Sequence, residues 1–325
     1  MAEASPHEIN YLRISITDRC NLRCFYCTYW QEWEKLPATE ILRYEELIRI
    51  AEVAAAAGIR KFRVTGGEPL VRRGVVSFIR SLHQVPGIEE VCLTTNGVGL
   101  QELAPALYDA GLRHLNLSLD TLRRDRYQKI TGSDNLLAVL AGLEQATSIG
   151  FHPLKINCVV LKGINDDEFV DLALLARDHP YQVRFIELMP TISRRQWHRH
   201  FIPMAEIRRR LEVLGPLEPV TQGNTAGPAF IFRLAGFRGE LGFISPMSEH
   251  HCSTCNRLRL TAAGKLRPCL MASSEIDLKG PLRQGASDNL LGWLFQEATH
   301  LKEGRVGFPF THYSLTGQSM VSIGG

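Results

Sequence analysis

Short apolar runs rich in β-branched residues alternate with helical patterns up to about residue 190, and this alternation constrains the fold more than any other feature. Between the runs lie segments in which apolar residues recur every three to four positions. The runs cover residues 11–17, 61–66, 91–96, 114–120, 154–161 and 183–189. A βα unit repeated six times indicates an α/β fold with a parallel sheet. Since six units are too few for an eightfold barrel, we expect a partial (β/α)6 TIM-type barrel, with a doubly wound sheet as the alternative.

The alternation stops near residue 190. The segment TISRRQWHRH (191–200) is basic and loop-like, and residues 215–230 are rich in glycine and proline. Short strand patterns then surround a second group of cysteines. We therefore predict a barrel domain over 1–190 and a smaller C-terminal α+β domain over 191–325.

Composition excludes several broad classes of protein. The 325-residue chain has a formal net charge of +3, too small to indicate nucleic-acid binding. It has no apolar run of about 18 residues or more, so no membrane-spanning helix is predicted. The amino-terminal segment lacks the apolar core of a secretory signal, and we expect a cytoplasmic location.

The eight cysteines are grouped rather than scattered. Six fall into two clusters of three, whereas Cys92 and Cys158 stand alone within apolar runs and are expected to be buried packing residues. In a chain of this length without a signal peptide, clustered cysteines favour metal binding over disulfides.

The first cluster, Cys20, Cys24 and Cys27, has the spacing C-x3-C-x2-C and follows the first predicted strand. A [4Fe–4S] cluster has four irons, so three thiolates leave one iron open to an exchangeable ligand. The alternative is a zinc ion completed by a distant histidine or by water.

The second cluster, Cys252, Cys255 and Cys269, also offers three thiolates. A second open-iron [4Fe–4S] site is the more economical interpretation, and a zinc knuckle lacking one ligand is the alternative. Arg257 and Arg259 share one face of an extended segment and suit a polyphosphate. A solvated pair on an edge strand is the other possibility.

Polar residues recur where the predicted strands end, and in parallel α/β folds ligands bind at that edge. The relevant positions are Asp18 to Cys27, TGGEP (65–69), TTNG (94–97), SLD (118–120), Lys155, Glu187 and Met189. Their repetition beside the cysteine loop predicts one ligand site at the mouth of the barrel.

The C-x3-C-x2-C loop, the aromatic residue Tyr26 before its last cysteine, and GGEP (66–69) resemble the radical S-adenosylmethionine (SAM) superfamily. In that superfamily the open iron is chelated by the methionine part of SAM. An electron from the reduced cluster cleaves SAM, and the resulting 5′-deoxyadenosyl radical abstracts a hydrogen atom from the substrate.

Further motifs narrow the resemblance. The segments FIELMP and CSTCNRLRLTAAGKLRPCL and the final Gly-Gly are similar to those of the GTP 3′,8-cyclase family. That family begins molybdenum cofactor biosynthesis by converting GTP to 3′,8-cyclo-7,8-dihydroguanosine 5′-triphosphate. The resemblance covers nearly the whole chain and implies SAM and two [4Fe–4S] clusters as cofactors.

The resemblance also implies roles for individual residues. Cys20, Cys24 and Cys27 would hold the SAM cluster, and Cys252, Cys255 and Cys269 the auxiliary cluster. The expected SAM contacts are Tyr26, Gly67, Ser118 and Met189. The expected GTP contacts are Arg13, Arg63, Thr94, Lys155, Arg257, Leu258 and Arg259. The tail residues Gly324 and Gly325 would enter the active site and be needed for activity.

Partners follow from the same resemblance. They are GTP, an electron donor such as a flavodoxin or ferredoxin, a second copy in a homodimer, and cyclic pyranopterin monophosphate synthase as recipient of the product. No Walker A motif occurs, so GTP is not expected to bind as in a GTPase.

A departure from the family is the loop after Cys27, where Trp30 and Trp33 are either packing residues or part of the SAM pocket.

Two other functions remain open from the residues. One is a radical SAM maturase that modifies a peptide with the help of an auxiliary cluster. The other is an iron–sulfur sensor or a zinc-dependent binding module, which would not cleave SAM.

Overall fold

A computed structural model of the chain describes residues 8–27, 35–221, 227–249, 255–272 and 274–303. Its first part alternates strands and helices. The strands are β1 (Tyr11–Ser15), β2 (Lys61–Thr65), β3 (Glu90–Thr95), β4 (His114–Ser118), β5 (Leu154–Val160) and β6 (Tyr181–Glu187). The helices are α1 (Tyr44–Ala56), α2 (Val75–His83), α3 (Leu100–Asp109), α4 (Arg124–Thr131), α5 (Leu136–Ile149) and α6 (Phe169–Asp178).

The later part mixes short strands with helices. Its helices are α7 (Arg194–His200), α8 (Met204–Leu211), α9 (Lys279–Arg283) and α10 (Asp288–Glu303). Its strands are β7 (Glu218–Pro219), β8 (Phe230–Arg233), β9 (Glu240–Ile244), β10 (Arg257–Leu260), β11 (Lys265–Arg267) and β12 (Ile276–Asp277). Short 3₁₀ turns lie at Ala38–Glu40, Pro69–Val71 and Glu212–Leu214. Among the described residues, no helix is long and apolar enough to cross a membrane.

The strands β1 to β6 pair in parallel and in chain order. A doubly wound sheet would reverse its strand order partway, and this sheet does not. The structure therefore confirms the predicted α/β fold with a partial barrel and excludes the doubly wound alternative.

Strands from the C-terminal part extend the same sheet at both edges. β10 pairs in parallel with β1, and β9 pairs in parallel with β6. β11 and β12 continue beyond β10, and β8 and β7 continue beyond β9, each by antiparallel pairing. The residues after 190 thus help to build the walls of the barrel mouth.

The faces of the barrel strands differ in chemistry. On β1 and β2, Leu12, Ile14, Phe62 and Val64 are fully buried in the apolar core. Their neighbours alternate to the opposite face, because successive side chains of a strand point in opposite directions. That inner face carries polar and charged residues, which line the site described below.

Two helices differ from the sequence-based prediction. The basic segment 191–200 is not a loop, since α7 forms there with the Ser193 hydroxyl accepting a hydrogen bond from the Gln196 amide. Trp197 anchors α7 by donating from Nε1 to the Leu188 carbonyl at 2.8 Å. The helix α4 had no predicted counterpart, because only a few of its side chains are buried and its apolar pattern is short.

Candidate active site

A cavity of about 390 Å³ lies at the mouth of the barrel. It is lined by the ends of β1 to β6 together with residues of the C-terminal part. Most of the predicted site residues that the structure describes line this one space. They are Cys20, Cys24, Cys27, Tyr26, Gly67, Ser118, Met189, Arg13, Arg63, Thr94, Lys155, Cys255, Arg257, Arg259 and Cys269.

Leu258 does not line the cavity, and some other predicted residues lie outside the described part of the chain. Leu258 is buried in the apolar core, on the opposite face of β10 from Arg257 and Arg259, and does not line the cavity. Cys252 and the tail residues Gly324 and Gly325 lie outside the described residues, as do Trp30 and Trp33.

The cysteine loop is fixed by the end of α4. The amides of Arg23 and Phe25 donate to the carbonyls of Thr131 and Ile130 at 2.8 and 3.1 Å. The Cys27 amide donates to the Cys24 carbonyl at 3.0 Å. These bonds fold the loop so that its three thiols face the cavity.

The three thiols of the cysteine loop do not all lie within 4.8 Å of one another. Among the described histidine, cysteine and acidic residues, only Glu90, Cys92 and His114 bring three ligand atoms within 4.8 Å of one another. Zinc–sulfur bonds of about 2.3 Å would hold thiolates closer together than these are. This spacing leaves room for a larger group, such as a [4Fe–4S] cluster, which takes thiolate ligands.

Electrostatics at these thiols also fit a cationic metal group. Burial, together with the neighbouring Cys20 and Asp120, raises the pKa of Cys27 to about 12. Burial and Cys27 raise the pKa of Cys24 well above its usual value. Thiolates in such surroundings need compensating positive charge, which bound iron supplies.

Asp120 connects the cysteine loop to the barrel. Its Oδ2 accepts a 2.5 Å hydrogen bond from the Tyr26 hydroxyl, and its Oδ1 accepts from the Val159 amide at 2.8 Å. Burial raises the pKa of Asp120 to about 6. Nearby, Asn157 Oδ1 is buried without a hydrogen-bond partner among the described residues. A buried acceptor without a partner can accept a hydrogen bond from a bound ligand.

The GGEP segment joins the loop from the other side. The amides of Gly67 and Glu68 donate to the carbonyls of Thr17 and Arg19 at 2.7 and 2.8 Å. A Cβ on Gly66, whose φ is +155°, would lie 2.6 Å from the Thr17 carbonyl oxygen, so only glycine permits this approach.

Glu68 is buried among hydrogen-bond donors. Its carboxyl accepts from the Asn96 amide at 2.6 Å, the Leu70 amide at 2.9 Å and the Thr95 hydroxyl at 2.8 Å. Burial raises the pKa of Glu68 to about 7. This carboxyl and Asp120 place acidic groups beside the cysteine loop.

The opposite end of the cavity is strongly basic. Strand register places Arg13 beside Arg63 on β2 and beside Arg259 on β10. Burial and the neighbouring Arg257 lower the pKa of Arg259 to about 10. Burial and Arg259 likewise lower the pKa of Arg13 well below its usual value. Mutual repulsion of this kind is relieved when a polyanion binds.

Lys155 lies among other cations, which changes the pKa of its amine. Burial and the neighbouring Arg184 and Arg63 lower the pKa of Lys155 to about 7. Its Nζ forms neither an ion pair nor a hydrogen bond within the described part of the chain. An anionic ligand would stabilise the protonated form of this amine.

The second thiol group lies against the basic end. Cys255 and Cys269 line the cavity, and Lys302 on α10 donates to Cys255 Sγ at 3.3 Å and to the Pro268 carbonyl at 3.0 Å. Burial would raise the pKa of Cys255, but Arg257 and Lys302 lower it to about 6. These neighbours thus favour the thiolate form of Cys255, which is the form that binds metals.

Several charged residues that line the cavity were not predicted from the sequence, among them Lys61, Arg184 and Lys302. Glu68 and Asp120 belong to the TGGEP and SLD segments that were predicted to border the site. Strand parity was an available signal for Lys61 and Arg184, since each lies two residues from another cavity-lining position on its strand. Lys302 reaches the site from a distant helix and had no such signal.

Two family models together match most of the chain. The Radical SAM superfamily model matches residues 14–176, and the Molybdenum Cofactor Synthesis C model matches residues 181–308. The chain is 48% identical to the GTP 3′,8-cyclase of Moorella thermoacetica, with 100% of each chain covered. It is 49% identical to the GTP 3′,8-cyclase of Thermodesulfovibrio yellowstonii, with 93% of this chain and 94% of that relative covered.

The fold is also similar to a solved structure. The crystal structure of Streptococcus suis SuiB bound to S-adenosylmethionine matches with a TM-score of 0.60 and 15% identity. The match covers 89% of this chain and 68% of SuiB. At this identity the similarity indicates a shared fold alone.

Proposed function

Because the chain belongs to the GTP 3′,8-cyclase family of radical SAM enzymes, we propose that it converts GTP into 3′,8-cyclo-7,8-dihydroguanosine 5′-triphosphate. This is the first step of molybdenum cofactor biosynthesis. The observation that carries the proposal is one cavity lined by the cysteine loop and two buried carboxyls at one end, and by arginines, a lysine and a second pair of thiols at the other. SAM and [4Fe–4S] clusters are its cofactors.

At the acidic end, the loop thiols of Cys20, Cys24 and Cys27 would hold a [4Fe–4S] cluster. When bound, the cluster would supply the electron for cleavage of SAM, and SAM would supply the group that takes a hydrogen atom from the substrate. The buried carboxyls of Asp120 and Glu68 favour the positively charged sulfonium of SAM, because burial leaves their charge weakly screened. Tyr26 and Gly67 remain the proposed SAM contacts, with Ser118 and Met189.

At the basic end, Arg13, Arg63, Lys155, Arg257 and Arg259 bind the triphosphate. Guanidinium groups form paired hydrogen bonds with phosphate oxygens, and the buried site strengthens each contact. Fixing the triphosphate at this end would leave the ribose free to face the acidic end of the same cavity. Orientation of this kind lowers the barrier of a reaction between two bound groups.

Cys255 and Cys269 would hold the auxiliary cluster together with Cys252. The thiolate-favouring surroundings of Cys255 support this assignment. The tail residues Gly324 and Gly325, a homodimer, a flavodoxin or ferredoxin as electron donor, transfer of the product to cyclic pyranopterin monophosphate synthase and a cytoplasmic location belong to the same proposal.

A peptide-modifying maturase is not favoured. The similarity to SuiB extends to the fold alone, whereas curated relatives with 41–49% identity across nearly the whole chain are cyclases. The basic end of the cavity also suits a triphosphate better than an ordinary peptide.

An anaerobic turnover assay tests the function. The protein is reconstituted with iron and sulfide, reduced, and given SAM and GTP. We expect 5′-deoxyadenosine and a new isomer with the mass of GTP to appear together. A variant lacking Gly324 and Gly325 should lose the isomer. If SAM is cleaved while GTP stays unchanged in the full chain, the substrate assignment is wrong.

A further inference from the structure

A second group of metal-ligating side chains lies at the other end of the barrel strands. Glu90 begins β3, Cys92 follows two residues later, and His114 begins β4 as the register partner of Cys92. None of the three lines the cavity described above. Arg63 is the register partner of Cys92 on β2, so the group lies beneath the cavity floor.

The three ligand atoms are close together. Cys92 Sγ lies 3.0 Å from Glu90 Oε1 and 3.9 Å from His114 Nδ1. His114 Nδ1 lies 2.5 Å from the same Glu90 oxygen. All three atoms fall within 4.8 Å of one another, which they alone do among the described histidine, cysteine and acidic residues.

The surroundings orient the carboxylate and leave one side open. Lys61 Nζ lies 2.7 Å from Glu90 Oε2, which turns Oε1 toward Cys92 and His114. Such a partner on the outer oxygen is typical of carboxylates that bind metals. Cys92 is fully buried, whereas the side chains of Glu90 and His114 are 19% and 31% exposed. An ion can therefore reach the group from solvent, and solvent water can complete its coordination.

The three kinds of ligand atom in this group favour zinc. Thiolate, imidazole and carboxylate are the three ligand types of zinc, with bonds of about 2.3, 2.0 and 2.0–2.2 Å. Tetrahedral bonds of that length place ligand atoms roughly 3.3–3.8 Å apart, near the spacings from Cys92. The two hydrogen bonds that Glu90 Oε1 makes, with His114 at 2.5 Å and with Cys92 at 3.0 Å, must lengthen to admit the ion. One thiolate and one carboxylate also balance the charge of a divalent cation.

We propose that Glu90, Cys92 and His114 bind one zinc ion, with water as the fourth ligand. The ion joins β3 to β4 where the two strands begin and stabilises the floor beneath the GTP-binding residues. This site is separate from both clusters and from the proposed reaction, so its loss and the loss of activity are distinguishable.

Zinc K-edge X-ray absorption tests the proposal, because it sees zinc without interference from cluster iron. Protein with its clusters already loaded is incubated anaerobically with zinc sulfate and desalted. We expect about one zinc per chain, with one sulfur neighbour near 2.3 Å and nitrogen or oxygen neighbours near 2.0–2.1 Å. Cys92→Ser should lose the sulfur neighbour and His114→Ala should lose most of the zinc.

The control is Cys158→Ala, which also removes a fully buried thiol but leaves the triad intact and should bind zinc normally. Iron content reports folding in every variant, and Glu90→Gln replaces Cys92→Ser if the latter loses its iron. The proposal is overturned if the wild-type protein binds no more zinc than His114→Ala. It is equally overturned if the sulfur neighbour persists in Cys92→Ser, since the zinc would then occupy other cysteines.

Discussion

The Tyr26 hydroxyl donates a 2.5 Å hydrogen bond to Asp120 Oδ2, and this bond connects the cysteine loop to the end of β4. Asp120 is 6% exposed and also accepts from the Val159 amide on β5. One carboxyl thus fixes the loop to two neighbouring strands. The position of the thiols relative to the cavity depends on this contact.

Breaking that contact should weaken SAM binding. We expect Tyr26→Phe to raise the SAM Kd by about tenfold, because a hydrogen bond to a charged group contributes about 1.5–3 kcal/mol. Equilibrium dialysis on anaerobic, cluster-loaded protein measures the Kd, and iron content checks that the cluster remains. Asp120→Asn retains an acceptor for Tyr26 and should lose less affinity than Asp120→Ala. Equal affinity in all these variants and the wild type would contradict the role given to this bond.

Gly66 should not tolerate a side chain. A Cβ there would lie 2.6 Å from the Thr17 carbonyl oxygen, so Gly66→Ala must displace the segment that precedes the cysteine loop. We expect the rate of 5′-deoxyadenosine formation to fall by at least about tenfold, since small misplacements cost catalysis heavily.

The matched control is Gly292→Ala on α10, where an added Cβ meets only an ordinary 3.9 Å contact with Val53. That variant should form 5′-deoxyadenosine at the wild-type rate. A Gly66→Ala enzyme as fast as the Gly292→Ala enzyme would show that the close approach is not needed.

The barrel could be predicted because its signal is local. Each strand from β1 to β6 is an apolar run, and most helices between them carry a clear three-to-four periodicity. The helix α4 lacks that signal because its exposed face is polar and only Tyr127, Ile130 and Thr131 are buried. Its role in holding the cysteine loop depends on tertiary contacts that no local pattern records.

The site was predictable where motifs exist and not elsewhere. The cysteines and the arginines of β10 stand in recognisable motifs. Arg184 alternates with the core residues Val183 and Phe185, so strand parity places it on the inner face, but no motif marks it as a binding residue. The joining of β10 to β1, which brings the two ends of the chain around one cavity, follows from packing across 246 positions between Asn10 and Asn256.

GTP affinity should depend on pH through Lys155. Since its pKa is about 7 without ligand, Lys155 is partly neutral at physiological pH. The triphosphate favours the protonated amine, so binding above pH 7 takes up a proton. Affinity should therefore be full below about pH 7 and fall by up to tenfold per unit as the pH rises above it.

Isothermal titration calorimetry in buffers of different ionisation enthalpy measures the proton uptake. Lys155→Arg is the control, because a guanidinium stays protonated throughout this range. Titration of GTP itself is common to both proteins. The same proton uptake in the arginine variant and the wild type would mean that Lys155 is not the titrating group.

Arg184 should contribute to triphosphate binding although no motif marks it. It lines the cavity, and burial together with Arg63 lowers its pKa to about 10. We expect Arg184→Gln to weaken GTP binding by about 10- to 100-fold, as loss of a charge-assisted hydrogen bond predicts, and to leave guanosine binding unchanged. Arg177→Gln removes a half-exposed surface arginine paired with Asp178 and should bind GTP normally. Equal losses for GTP and guanosine would indicate general damage to the site.

The central claim is that the two ends of one cavity bring SAM and the GTP ribose together. The most direct test is anaerobic turnover with GTP deuterated at C3′, followed by mass spectrometry of the 5′-deoxyadenosine. The account predicts one deuterium in the 5′-deoxyadenosine and its loss from the GTP isomer, whereas GTP deuterated at C2′ gives unlabelled 5′-deoxyadenosine. Formation of the isomer with unlabelled 5′-deoxyadenosine from the C3′-deuterated substrate would contradict it.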